Sequence, residues 1–322
     1  MSLKKFLFYI LKILILTLIL MLVMDKIYSY FFLHSNKRDK IGFVYNSPPT
    51  EYDVVILGSS RANNHFVTQM FTDKGLKAFN FGMQGSKLFE SDLILKLLLE
   101  KNNKIKTVII DVDVTLRTEE KSDGTSLKFL PYLHGSSLIK EHFENQNDFN
   151  ILYYVPFYRY LKFDTKIGFR EMLFNVLNRK SKELDNGGYN ALPDNKGNLK
   201  PEILDFQPKR NRYYEEIRKI CKLNNIKLIA VMTPMCENVV GKDYFKKVNQ
   251  LYPEIYNYEN TVVEDKYFSS CGHMSNDGAR LFTARIIKYF FNKWAPKAPK
   301  IMANIPIKAP VKTIFLFIFS KL

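Results

Sequence analysis

Cysteine is scarce in this chain: three residues in 322, Cys221, Cys236 and Cys271, too few for a disulfide scaffold. Internal repeats and low-complexity blocks are absent, which excludes repeat architectures and leaves one large domain with a small insert. Acidic residues are scarce at the two ends. Residues 1–40 hold seven Lys or Arg against two Asp, and residues 293–322 hold six Lys and no acid. Between 41 and 292 the balance is 35 basic to 30 acidic residues, so most of the formal charge of +16 is terminal. No basic motif interleaved with aromatics is present, and nucleic acid is not expected as a partner. Asp111 and Asp113 close one apolar strand, but two carboxylates without a clustered His or third acid do not make a metal site. Nothing in the sequence implies a cofactor.

What is present begins with membrane. Phe6 to Met24 is a run of nineteen residues with one charge, Lys12, near the minimum that crosses a bilayer as a helix. No small-residue cleavage site follows; Tyr28, Tyr30, Phe31 and Phe32 supply aromatics of the kind found at a membrane interface. The expected organisation is an uncleaved anchor over 1–33, a linker over 34–50, an α/β domain over 51–292 and a basic Pro/Lys tail over 293–322. The short apolar end of that tail, Thr313–Phe319, cannot span a bilayer. It either lies with its lysines on an anionic membrane surface or forms a tail or packed strand. Lys4 and Lys5 on one flank of the anchor oppose Lys26, Lys37, Arg38 and Lys40 on the other, so the positive-inside count does not orient it.

From residue 51 onward strand-like and helix-like patterns alternate. Strands are predicted at Asp53–Leu57, Leu76–Phe81, Thr107–Val112, Ile226–Thr233 and Thr261–Glu264. Helices are predicted at Glu90–Lys101, Tyr213–Lys222 and Asp277–Phe291, the last with Asn276 as N-cap and Leu281, Ala284, Tyr289 and Phe290 on its inner face. Alternation of this kind gives a three-layer αβα sandwich on a mostly parallel sheet, with functional residues at the carboxyl ends of the strands. The aromatic, basic stretch from about 115 to 206 breaks the rhythm and reads as a partly helical insertion over the site.

Two motifs carry chemistry. Gly58-Ser59-Ser60-Arg61 follows the apolar run Val54–Leu57, and His273-Met274-Ser275-Asn276-Asp277-Gly278-Ala279 precedes the last helix. A serine on a strand-to-helix turn becomes a nucleophile when a base takes its proton, and the histidine is the base on offer. Arg61, beside the serine, invites an anionic substrate; the alternative is a solvent-facing or acid-paired arginine.

Gly58-Ser59-Ser60 resembles the Gly-Asp-Ser block of the SGNH (GDSL-type) hydrolase superfamily. Asn80-Phe81-Gly82-Met83-Gln84-Gly85-Ser86 looks like its second block, and His273 with Gly278-Ala279 and Phe282-Thr283 resembles its last. The resemblance spans roughly 51–292 and implies a flavodoxin-like sheet. It also implies Ser60 as nucleophile, His273 as general base, and the backbone N–H groups of Ser60 and Gly85 as oxyanion donors. The anchor is similar to that of membrane-bound members acting on cell-envelope polymers. This implies an esterase or O-acyltransferase on the outer side of the membrane, with envelope polysaccharide or another acylated carbohydrate as substrate and envelope-assembly membrane proteins as partners.

The chain departs from the family pattern at two positions. After the strand Val108-Ile109-Ile110 the family has an oxyanion-hole Asn, where this chain reads Asp111-Val112-Asp113; Asn63 and Asn64 are the alternatives, with Asp113 a further supporting candidate. Three residues before the histidine the family has Asp, where this chain has Ser270. Ser270, a backbone carbonyl, Glu264 or Asp265 then orients the ring. The lost acid also leaves open a protein that binds carbohydrate or assists envelope assembly without turnover. Cys236 and Cys271 both fall at the site end of the sheet, placed to form a disulfide in an oxidising compartment.

Overall fold

The computed structural model describes residues 2–112, 114–195, 199–201 and 203–291; Asp113 and the tail over 293–322 lie outside the described residues. Five strands form one parallel sheet: β1 (Glu51–Leu57), β2 (Ala78–Asn80), β3 (Lys104–Asp111), β4 (Lys227–Met232) and β5 (Tyr256–Asn257). Their order is β2-β1-β3-β4-β5, which is the doubly wound, flavodoxin-like order. The register sets Ile56 beside Ile109, and Ile109 beside Ile229. Val54 to Leu57 and Val108 to Ile110 are all fully buried. Successive side chains point to opposite faces, so both faces of the sheet are covered. In this strand order the chain winds one way from β1 to β2 and the other way from β1 to β3. The crevice outside the carboxyl ends of β1 and β3 is therefore the expected ligand position.

The fifth strand is not at Thr261–Glu264. There the Thr261 N–H donates to the Tyr258 carbonyl at 2.9 Å and its hydroxyl donates to the same oxygen, closing a turn that carries the chain away from the sheet. A separate antiparallel pair follows, β6 (Phe268–Ser270) with β7 (His273–Met274). The last helix, Asn276–Phe290, is capped by Ser275, one residue earlier than expected, through its hydroxyl and the Gly278 N–H. Its inner face is Ala279, Phe282, Thr283, Ile286 and Ile287, whereas Leu281 and Tyr289 are exposed. A one-residue error in the face turns a helix by about 100°.

The N-terminal helix α1 (Leu3–Leu33) is long and apolar enough to cross a membrane. Its 31 residues make a rod of about 46 Å, and it does not stop where its apolar stretch ends. Asp25, Tyr28, Ser29 and Phe32 are buried against the domain. Tyr28 meets Phe157 edge to face at 4.9 Å between centroids, and Asp25 pairs with Arg159 at 2.9 Å. Two of the aromatics read as interfacial are thus core residues.

Residues 34–50 are not an extended linker either. They carry helix α2 (Lys40–Asn46), capped by the Asp39 carboxylate accepting from the Gly42 N–H at 2.7 Å, with Lys40, Ile41, Gly42 and Val44 buried. The stretch 115–206 holds short helical segments and, among the described residues, no named strand. It docks on α1 through Arg159 and Tyr160 and returns to the sheet where the Asn190 N–H meets the Asn63 carbonyl at 3.0 Å.

Candidate active site

β1 ends at Gly58 with φ +133°, a left-handed conformation. A Cβ there would lie 2.8 Å from the Ala62 side chain and 2.9 Å from the Asp111 carbonyl, so only glycine lets the chain turn between β1 and β3. The turn opens the short helix α3 (Ser60–His65), whose N-cap is Ser59. Ser60 is thereby presented at the carboxyl end of β1, in the crevice between β1 and β3. Asp111, fully buried at the end of β3, backs this turn. Among the described residues no group of three or more His, Cys, Asp or Glu is placed to hold a metal ion.

The β6–β7 pair brings His273 to the serine. Ser60 Oγ lies 2.8 Å from His273 Nε2, and Ser270 Oγ lies 3.2 Å from His273 Nδ1. The residues are 213 positions apart in sequence. Of the side chains considered for orienting the ring, Ser270 is in hydrogen-bond contact with it. Glu264 pairs instead with Lys266 at 2.5 Å, and Asp265 accepts from the Asn238 amide at 3.1 Å. With the Ser60 hydroxyl donating to Nε2, the Nδ1–H donates to the Ser270 hydroxyl, a neutral version of the carboxylate support in serine hydrolysis. A disulfide joins Cys236 to Cys271, and the Cys236 N–H donates to the Cys271 carbonyl at 3.2 Å. The loop carrying Ser270 and His273 is thus fastened to the segment after β4.

Arg61 is buried, and its guanidinium donates to the Thr233 and Pro234 carbonyls at 3.2 and 2.9 Å. It ties α3 to the same segment after β4. Asn64 is also committed to the scaffold, its amide donating to the Asn190 carbonyl at 2.7 Å.

His65, which the sequence did not single out, is fully buried one turn beyond the serine. Its Nε2 accepts from the Met274 N–H at 3.0 Å, so Nδ1 carries the proton and meets the Thr233 hydroxyl at 3.0 Å. Burial, reinforced by the nearby Arg61 and His273 charges, holds the ring well below its ordinary pKa and therefore neutral. His65 thus holds the residue next to His273 in line with α3.

The second sequence block folds over the Gly58–Ser60 turn. Asn80 donates to the Ala62 carbonyl at 2.8 Å and accepts from the Gly82 N–H at 2.9 Å. The Met83 N–H and the Ser86 hydroxyl both reach the Gly58 carbonyl, at 3.1 and 2.8 Å. Gly85, at φ +71°, lines a cavity of about 830 Å³ that also takes in Asn63, Gly82, Thr125 and Asn190. Beneath it, Lys40 Nζ donates to Asn63 Oδ1 at 2.8 Å and to the Gly82 and Gly188 carbonyls at 2.5 and 2.7 Å. Burial pushes this ammonium down to about 7, while three oxygen acceptors favour the charged form. By accepting from Lys40, the Asn63 carbonyl oxygen is taken, which leaves its NH₂ as the end of the amide able to donate toward a ligand. The cavity wall also carries Lys87, Lys128, Lys166 and Lys182 against Asp123 and Glu183.

No protein-family description and no curated protein matches this chain.

The reading of function therefore rests on the geometry. Ser60, His273 and Ser270 are brought together; Gly85 and Asn63 line a cavity whose lining does not include those three residues; Arg61 and Asn64 bond to the scaffold. The missed residues differ in how they were hidden. His65 lies five positions after Ser60, and a histidine on so short a helix was a usable signal. Lys40 meets groups 23, 42 and 148 positions away, and no local pattern reports such contacts.

Proposed function

We propose that the protein is a membrane-anchored serine esterase or O-acyltransferase of the SGNH type, acting on cell-envelope polysaccharide outside the cytoplasm. The observation that carries this reading is the chain of contacts Ser60 Oγ to His273 Nε2 at 2.8 Å and His273 Nδ1 to Ser270 Oγ at 3.2 Å. In the reaction, Ser60 Oγ attacks an ester carbonyl carbon while its proton passes to His273 Nε2. The oxyanion of the tetrahedral intermediate is held by the N–H groups of Ser60 and Gly85, each such donor worth about 3–4 kcal/mol. The C–O bond of the ester then breaks, the departing alcohol takes the proton from His273, and the acyl group remains on Ser60. Water or a sugar hydroxyl, losing its proton to His273, attacks that acyl-enzyme and frees the serine.

Two further observations support the setting. A disulfide next to the catalytic histidine suits an oxidising compartment beyond the cytoplasmic membrane. The cavity beside Gly85, large and lined by lysines, suits a polar and acidic polymer. The second reading, a protein that binds carbohydrate or assists assembly without turnover, is favoured by one residue, Ser270 in place of a carboxylate.

The test is fluorophosphonate labelling of the full chain in a bilayer nanodisc, with the modified peptide mapped by mass spectrometry beside Ser60→Ala, Ser59→Ala and His273→Ala variants. Labelling on Ser60 that survives Ser59→Ala and is lost with His273→Ala is expected. A folded protein that does not label overturns the enzyme reading in favour of binding.

A further inference from the structure

Among the described residues outside α1, fourteen large apolar side chains are exposed, and eight of them fall between residues 151 and 177. They are not scattered within that stretch. On the helix Phe169–Val176, Phe169, Leu173 and Val176 are exposed, and Leu177 continues the same stripe, while Met172 and Asn175 face inward. Spacings of four, three and one residue place these four side chains on one side of the helix. An amphipathic helix of a soluble domain turns that side to the core; this one turns it out. Leu161 and Tyr154, 59% and 69% exposed, extend the apolar surface.

The position of this surface relative to α1 decides what it meets. Residues 3–20 of α1 are exposed throughout, and burial begins at Met21 and is complete at Asp25. At that level the Asp25 carboxylate accepts from the Phe157 N–H at 2.7 Å and from Arg159 at 3.0 Å, and Ser29 meets the Tyr160 hydroxyl at 2.8 Å. Tyr154 and Leu161 flank this clamp in sequence. At the far end Arg38 holds Glu171 at 2.9 Å and the Arg179 carbonyl at 3.0 Å. Lys162, Lys166, Arg170, Arg179 and Lys180 accompany the apolar residues, against Asp164 and Glu171, and all five bases are exposed.

Resting on the membrane-anchor part of the reading above, we infer that residues 151–180 form a collar that lies on the bilayer surface around the exit point of α1. Its apolar stripe enters the boundary between headgroups and acyl chains, as interfacial helices do. Its lysines and arginines sit among anionic headgroups. The occupant of this surface is lipid, argued from continuity with the spanning helix and from complementary charge.

Single-tryptophan chains test it, made on a Trp294→Phe background in full-length protein reconstituted into vesicles containing anionic lipid. Leu161→Trp, Phe169→Trp and Leu177→Trp report on the collar, Leu14→Trp on the anchor and Leu223→Trp on the remote surface. Quenching by lipids brominated near the headgroup is expected to be about twofold stronger at the three collar positions than at Leu223→Trp. Collar tryptophans quenched only by aqueous iodide, with Leu14→Trp quenched by bromolipid, overturn the collar and leave the anchor standing. Collar tryptophans shielded from both quenchers assign the surface to a protein partner and also overturn it. Leu14→Trp untouched by bromolipid removes the anchor and the collar together.

Discussion

Ser270 meets His273 with a hydroxyl, and a hydroxyl cannot stabilise an imidazolium as a carboxylate does. The neutral Ser270 contact is worth about 1 kcal/mol. Ser270→Ala is therefore expected to slow fluorophosphonate labelling roughly five- to tenfold, and Ser270→Asp to raise it above the wild-type rate by restoring a charge. An unchanged rate in both variants would mean that the ring is held by its loop alone. His65 acts one step further out. His65→Ala strands the buried Met274 N–H, which costs about 1–3 kcal/mol. Urea unfolding is expected to show that loss, together with slower labelling, because the stranded group adjoins His273. Stability loss with full labelling would reduce His65 to a packing residue. At this scale the pairing of Ser60 with His273, and the place of Ser270 beside the ring, were expected from motif and spacing. The partners of Arg61 were not legible, because its sequence neighbours say nothing of the carbonyls 172 and 173 positions away.

Among elements, the loop bearing His273 depends on the Cys236–Cys271 bond, which closes a span of 35 residues. Cys271→Ser is expected to lower unfolding stability by about 3–4 kcal/mol, read in non-reducing urea titrations; a change near zero would show that packing alone orders the loop. The helix Leu88–Glu100 supplies a pH-sensitive spot. Beside it burial pushes the His142 ring down to about 4, and within it burial pushes Asp92 up to about 6 and Glu90 up to about 7.

A histidine with a depressed pKa stabilises the fold fully above its ordinary 6.5, and that contribution, roughly 3 kcal/mol, is lost as pH falls toward 4. The raised carboxyls run the other way, their contribution present at low pH and lost as pH rises through about 6 and about 7. Subtracting His142→Asn from wild type isolates the first effect: the difference in unfolding free energy is expected to shrink on acidification from 6.5 to 4. A flat difference would mean that the ring is not held neutral. Four of the five sheet strands and the three long helices of the domain were legible because their patterns are strong; the fifth strand, Tyr256–Asn257, was not, being two residues long. The helices between 115 and 206 were not, being short and fixed by contacts with α1 and the nucleophile helix.

For the whole molecule, the boundary between anchor and domain does not fall at residue 33. Tyr28 and Phe32, 5% and 4% exposed, each contribute about 1.5–3 kcal/mol by burial. Removing them would also leave Arg159 buried without the Asp25 carboxylate, at a cost of about 3–5 kcal/mol. A chain beginning at residue 34 is expected to melt well below the full-length protein and to aggregate, as differential scanning calorimetry in detergent would report; matching melting temperatures would mean that the docked end of α1 is dispensable. The sequence divided anchor, linker and domain by composition, which cannot show that one rod serves two of them.

That unbroken rod has a mechanical consequence. With α1 upright in a bilayer, the Ser60 hydroxyl rides at a fixed standoff from the lipid and can neither swing outward on a leash nor sink toward it. Encounters are then set by lateral drift in two dimensions, and any molecule within range of Ser60 is one that passes close to the membrane surface.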